Sequence, residues 1–168
     1  MIFEGKIHVV GDHCDTDVMI PGRYLSLVEP AEIAKHIFEE VDPGFVKRVQ
    51  PGDILMAGRN FGSGSGREHA PFGLKALGLS CIVAASFSRT FYRMAIDLGL
   101  PILECEAAAR AAKAGQRARV DTATGEIRID GQVFRTHPMP QFIQDIIEEG
   151  GLTPWVKREA ARRRASAQ

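Results

Sequence analysis

The sequence predicts one α/β domain with a parallel βαβ core and additional β-strands at both ends. Three observations carry that prediction. Short apolar runs at 53–57, 80–85 and 101–103 alternate with helical stretches, and strand, helix, strand, helix, strand at short spacing implies a parallel sheet. Both intervening helical stretches stop at a glycine, Gly78 and Gly99, the residue that most readily takes a left-handed helix end. Beyond them, 117–121 and 126–130 flank Thr122-Ala123-Thr124-Gly125, which reads as a β-hairpin.

The elements follow in chain order. Residues 2–10 mix apolar and polar positions as a strand does, and Gly11-Asp12 breaks the run. Residues 15–24 read as a loop with a short extended stretch, Val18-Met19-Ile20, ended by Pro21-Gly22. Residues 31–41 read as a helix, with Pro30 suited to its first turn and Ile33, Ile37 and Val41 on one face, stopped by Asp42-Pro43-Gly44. After the 53–57 strand come a glycine-rich loop and a helical stretch to Leu77; after the second strand, 89–98 is helical. Residues 141–148 form an amphipathic helix stopped by Gly150-Gly151, and a last helix begins near Thr153. No repeat or linker divides the 168 residues, so residues 1–168 are read as one domain, with 157–168 a polar, basic helix or tail.

Composition excludes several functions. The chain is 45% hydrophobic and 25% charged, and 21 Lys plus Arg balance 21 Asp plus Glu. A nucleic-acid binder carries a basic surplus, and the only basic run, Arg162-Arg163-Arg164, lies in the polar tail as a solvated helix end. No apolar run approaches the roughly 18 residues of a membrane span, and the first residues lack a signal-peptide layout. Cys14, Cys81 and Cys105 are far apart and form no C-x-x-C pair, which argues against disulfides and against a metal or cluster site in this chain. Cys81 and Cys105 sit in apolar runs as small core residues. The expected location is a reducing cytoplasm.

The chemistry points to residues 58–68. This loop is rich in glycine and serine, so backbone N–H groups can approach a ligand closely, and the helix after it adds the positive end of its dipole. An anion site is expected; the alternative is a tight strand-to-helix turn with no ligand. The loop is not a Walker sequence, because no lysine follows it, and the dinucleotide spacing fails because Arg67 stands where the third glycine belongs. Arg67, read as a first-turn residue, suits a carboxylate or phosphate facing it rather than the helix dipole. Ser65 shares that electropositive position, where its alkoxide would be stabilised. His69 reads as a residue that hydrogen-bonds back to the loop, with a supporting role.

Asn60-Phe61-Gly62-Ser63-Gly64-Ser65-Gly66-Arg67-Glu68-His69-Ala70 resembles the signature of the aconitase C-terminal, or swivelling, domain, which occurs as a free small subunit in 3-isopropylmalate dehydratase and its relatives. The resemblance extends to Asp15-Thr16-Asp17 with Ile20-Pro21-Gly22-Arg23-Tyr24-Leu25, to Ser86-Phe87-Ser88-Arg89-Thr90-Phe91-Tyr92-Arg93, and to Gly150-Gly151-Leu152. It covers nearly the whole chain in order and implies a compact β/β/α swivelling domain.

The resemblance further implies a hydro-lyase whose large subunit, a separate chain, holds a [4Fe-4S] cluster, while this chain binds no cofactor. By position, Ser65 would take a proton from the carbon beside a carboxylate, Arg67 would clamp that carboxylate, and Asp17 matches the family's active-site aspartate. Gly64, Gly66 and Arg23 would contact the substrate, with Ser26, Leu27 and Val28 in the segment on which substrate choice depends. Asp15 and Thr16 would shape the turn, while Glu68, His69 and Arg89 would support the site. Arg89 and Arg93 are alternatively read as interface residues or as members of buried ion pairs. Two departures stand out: Ser63 replaces the family's cysteine, and Gly66 its second serine, so a hydroxyl is lost where a backbone N–H remains. Leu27 and Val28 bring no cation, which favours an alkyl-substituted malate over a tricarboxylate. The leading expectation is isomerisation of 2- and 3-isopropylmalate in leucine biosynthesis, with dimethylmalate, citramalate or homoaconitate as alternatives. A non-catalytic anion-binding or regulatory module, and a homo-oligomer when the chain is alone, are the remaining readings.

Overall fold

The computed structural model describes residues 1–166. Its centre is a seven-stranded sheet in the order β4-β3-β2-β1-β5-β6-β7, with β1 (Ile2–Val10) at the junction of two halves. The second part of β1 pairs in parallel with β2 (Ile54–Ala57), from Ile7 opposite Ile54 to Val10 opposite Ala57. The first part pairs antiparallel with β5 (Arg117–Asp121), Ile2 facing Asp121. One nine-residue strand thus serves both halves, the parallel core and the hairpins added after it.

The parallel half continues through β3 (Cys81–Ala84) and β4 (Ile102–Glu104). Every residue of β2 and β3 is buried, as expected for parallel strands covered on both faces. Strand periodicity divides their side chains between two cores. Leu55, Ala57, Ile82 and Ala84 face Ala70 and Leu74 of α4 (His69–Ala76) and Phe91 and Ala95 of α5 (Arg89–Asp97). Ile54, Met56, Cys81 and Val83 face the other way. They meet Ala108 of α6 (Glu106–Ala111), and Val120, Ile127 and Ile129 from β5 and β6 (Glu126–Ile129). The antiparallel half therefore curls over the second face. Its last strand, β7 (Gln132–Arg135), ends near the opposite edge, where Thr136 Oγ1 donates to the Glu104 carbonyl. Helices α7 (Gln141–Glu148) and α8 (Leu152–Ser166) close the chain, and α8 includes much of the basic segment; residues 167–168 lie outside the described residues.

Two expected elements differ from the sequence reading. Of Val18-Met19-Ile20 only Ile20 is extended: Thr16–Met19 forms one helical turn, α1, because Asp15 Oδ1 accepts from the backbone N–H groups of Asp17 and Val18. The helix expected at 31–41 is only α2 (Pro30–Ala34), and turns follow it. Phe38 takes a left-handed φ of 57° and donates its N–H to the Met19 carbonyl, and its ring is buried against Phe45. Burying that ring outweighs extending the helix. Phe45 opens α3 (Phe45–Arg48), which, like α6 and β7, is absent from the sequence reading. No described helix is long and apolar enough to cross a membrane.

Candidate functional site

Strands β1, β2 and β3 run parallel, so the segments leaving their C-terminal ends gather at one edge of the sheet, where ligands of open α/β sheets bind. Backbone bonds join the three segments. Gly62 N–H donates to the Cys14 carbonyl and Thr16 N–H to the Ser63 carbonyl, with Asp15 bridging Ser63. On the other side Phe61 N–H donates to the Ser86 carbonyl and Ser88 N–H to the Phe61 carbonyl. Phe61 is fully buried among Phe87 and Phe91, which anchors the loop. The next residue has to be glycine. Gly62 has φ of 75°, and a Cβ there would lie 2.2 Å from the Phe91 ring.

On this frame four side chains meet. Ser65 Oγ donates to Asp17 Oδ1 at 3.4 Å and lies 3.2 Å from Thr16 Oγ1. Arg67 Nη1 reaches the same Asp17 oxygen at 3.0 Å. With Ser65 donating to the carboxylate, the buried Thr16 hydroxyl is left to donate to Ser65. Ser65 and Asp17 are exposed, Arg67 is half-buried, and the group faces solvent. A cleft of about 510 Å³ lined by Tyr92, Glu104, His137 and Met139 contains none of these residues.

Arg67 precedes the helix rather than sitting in its first turn: α4 starts at His69, with Glu68 as an exposed N-cap that makes no side-chain capping bond. Gly64 lies beside Asp15, a Cβ on it falling 3.2 Å from Asp15 Cβ. Gly66 has φ of 67°, and a Cβ there would come within 2.7 Å of the Thr90 methyl. A serine side chain at 66 therefore needs a different loop conformation. His69 bonds not to the glycine-rich loop but to the Leu27 carbonyl, Nε2 to O 3.0 Å.

Other expected site residues stand apart. Arg23 Nη2 donates to Glu39 Oε1 at 2.6 Å, Nη1 donates to Glu40, and the guanidinium lies 4.8 Å from the centre of the Tyr24 ring. The Tyr24 hydroxyl, His36 and Arg23 together pull the Glu39 carboxyl down to about 2. Ser26 and Val28 are exposed, and Leu27 is half-buried against the core. Arg89 and Arg93 are exposed, and neither makes an ion pair among the described residues, which overturns their reading as members of buried ion pairs. Thr16, expected to shape the turn, also reaches Ser65 with its hydroxyl. Thr90 is absent from the sequence reading, since it lies beside Gly66 only through long-range packing.

The three cysteines are buried and free, Cys14 in one core and Cys81 and Cys105 in the other. Burial and the Asp15 carboxylate push the Cys14 thiol up to about 12. Among the described residues no group of three or more His, Cys, Asp or Glu is placed to hold a metal ion.

A curled α/β sheet carries a serine, an arginine and an aspartate on the loops that leave its parallel strands, and comparison with known proteins places this fold in the aconitase-type class. The aconitase C-terminal domain model matches residues 39–108. The 3-isopropylmalate dehydratase small subunit of Caldicellulosiruptor bescii is 52% identical over 161 residues, 95% of this chain and 97% of the relative. The isopropylmalate/citramalate isomerase small subunit of Methanocaldococcus jannaschii is 44% identical, covering 95% and 96%. A crystal structure of 3-isopropylmalate dehydratase from Methanocaldococcus jannaschii matches with a TM-score of 0.92 and 34% identity over 99% of both chains. The chain belongs to the family of 3-isopropylmalate dehydratase small subunits and is a subunit of a hydro-lyase.

Proposed function

We propose that this chain, joined to a large subunit carrying a [4Fe-4S] cluster, interconverts 2- and 3-isopropylmalate in the cytoplasm as a step of leucine biosynthesis. The observation that carries the reading is the convergence of Ser65 and Arg67 on one oxygen of Asp17. The three cysteines of this chain are buried, and on this reading the cluster takes its ligands from the large subunit. Bound there, the cluster would polarise the substrate hydroxyl as a Lewis acid.

This chain's part is the proton. An incoming substrate carboxylate competes with Asp17 for Arg67, whose planar fork suits it. Asp17, relieved of its cation, becomes the stronger acceptor for the Ser65 hydroxyl proton. Thr16 stays in place as a donor to the resulting alkoxide. Ser65 then removes the proton from the carbon next to the clamped carboxylate, and the developing charge spreads onto that carboxylate against Arg67. Gly64 and Gly66 leave the loop backbone open to the anion, and Leu27 and Val28 supply apolar contact for the alkyl group. Arg23 reaches the substrate only after exchanging its carboxylate partners. Arg89, exposed and without an ion pair among the described residues, supports the site as part of the surface that meets the large subunit.

A second reading, turnover of citramalate as well, is favoured by the name of the 44% identical Methanocaldococcus relative. The test is to co-express the chain with its large subunit, reconstitute the cluster anaerobically, and assay alkyl-malates by absorbance of the unsaturated product. The complex is expected to turn over isopropylmalate and the small chain alone to be inactive. Ser65→Ala is expected to lose about 10²–10⁴-fold in kcat, the usual contribution of a positioned acid–base group. Activity in the isolated chain, or full activity with Ser65→Ala, contradicts the proposal.

A further inference from the structure

The segment between Tyr24 and Pro30 is held by few contacts. Leu25 and Leu27 donate backbone bonds back to Gly22 and Tyr24, and the next backbone bonds are those that Glu29 accepts at the start of α2. Ser26 and Val28 lie between these anchors, and Val28 is 83% exposed. One side chain fastens this stretch. His69 Nε2 lies 3.0 Å from the Leu27 carbonyl, 42 residues away in sequence, and among the described residues no other side chain hydrogen-bonds to residues 25–29. A carbonyl can only accept, so Nε2 carries the hydrogen, and the bond exists in the Nε2–H tautomer or the cation.

The position of this bond gives it consequence. His69 opens α4, two residues after Arg67 and four after Ser65. A Cβ on Gly22 would lie 3.4 Å from Arg67 Nη1. Residues 22–27 therefore run alongside residues 67–69, with Gly22 near the Arg67 guanidinium and Leu27 bonded to His69. The exposed Val28 is thus carried on a segment held against the base and the clamp by the packing of Leu27 on the core and by one side-chain hydrogen bond, that of His69. An exposed valine beside half of an active site has no partner of its own to pack against.

We propose that His69 is a positioning residue for substrate selectivity: it holds Leu27 and Val28 at the distance from Ser65 and Arg67 that fits the branched alkyl group. The proposal rests on the function given above. It concerns which alkyl-malate binds, not how the proton moves. His69 touches neither the proton nor the carboxylate, so its loss acts on KM and on the ratio between substrates.

The experiment uses the reconstituted two-subunit enzyme with wild-type, His69→Gln, His69→Asn and His69→Leu small subunits, each assayed on an isopropyl-substituted and a methyl-substituted malate. Gln places a donor near the reach of Nε2, whereas Asn is too short and Leu has none. Leu and Asn variants are expected to raise KM for the isopropyl substrate about tenfold, within the range that apolar pocket contacts provide, with kcat within twofold. The methyl substrate is expected to change little, so the selectivity ratio falls about tenfold, and Gln retains it. Melting temperature and binding to the large subunit check that each variant is folded; if Leu fails, Asn against Gln decides. An unchanged ratio in the Asn and Leu variants, or an equal loss on both substrates, overturns the proposal. A wild-type complex that turns over neither substrate instead overturns the function on which it stands, and the selectivity role with it.

Discussion

The two halves of the sheet use their charged residues differently. In the antiparallel half, Arg119 pairs with Glu4, and Arg128 and Arg135 with Glu126, as cross-strand or same-strand neighbours on a surface. Such pairs contribute little, about 0–1 kcal/mol each. In the parallel half, Asp17 receives Arg67 and Ser65 from distant sequence, held by loops that backbone bonds and Phe61 tie together. Parallel strands release all their connections at one end, while hairpins return each connection to its neighbour. The first arrangement can gather distant side chains, and the second mainly builds a core.

The largest expected effects test this division. Gly62→Ala forces a side chain into the Phe91 ring at a left-handed φ. The cost expected from backbone strain plus overpacking is about 2–5 kcal/mol. Ile127→Ala, in the buried face of the antiparallel half, is expected to cost a similar amount, about 2–5 kcal/mol. Urea unfolding measures both. The division predicts that kcat of the folded complex falls with Gly62→Ala, which moves Ser65, and stays within twofold with Ile127→Ala. Equal loss of kcat in the two would erase the distinction.

Gly66→Ser is a smaller step. Restoring the serine of the family pattern meets the Thr90 methyl and an unfavourable φ, so it is expected to lower kcat/KM by about tenfold, near 1.4 kcal/mol, rather than to improve it. Gly66→Ser combined with Thr90→Ala should recover part of that loss. Steady-state assays decide, and a gain from Gly66→Ser alone would show that the loop readily adopts another conformation.

The smallest expected signal concerns the thiols. Burial covers all three cysteines, and the Cys14 thiol, pushed up to about 12, is almost entirely protonated at pH 8. A disulfide reagent at that pH should label none of the three in the native chain within minutes and all of them after denaturation. Rapid labelling of Cys14 would mean that the 11–20 segment opens readily.

The sequence made the regular parts of this account visible. Glycine stops at 78 and 99, the hairpin over 122–125 and the all-buried strands carry local signals that need no partner. Ser65 and Arg67 were legible because the loop composition is unusual and an arginine beside a helix start asks for an anion. What stayed hidden depends on distant groups. Phe38 breaks its helix for a carbonyl on Met19, Arg23 finds Glu39 and Glu40, and His69 reaches Leu27 rather than its own loop. The four-residue β7, with an exposed valine, has too little pattern to announce itself.

The central claim is that this chain supplies the base. The most direct measurement is deuterium incorporation into the substrate carbon next to the clamped carboxylate, followed by NMR, with the reconstituted complex turning over in D2O. Wild-type and Ile127→Ala complexes should incorporate deuterium at comparable rates, and Ser65→Ala should incorporate it at least about 10²-fold more slowly while still binding the large subunit. Incorporation by Ser65→Ala at the wild-type rate would contradict the account.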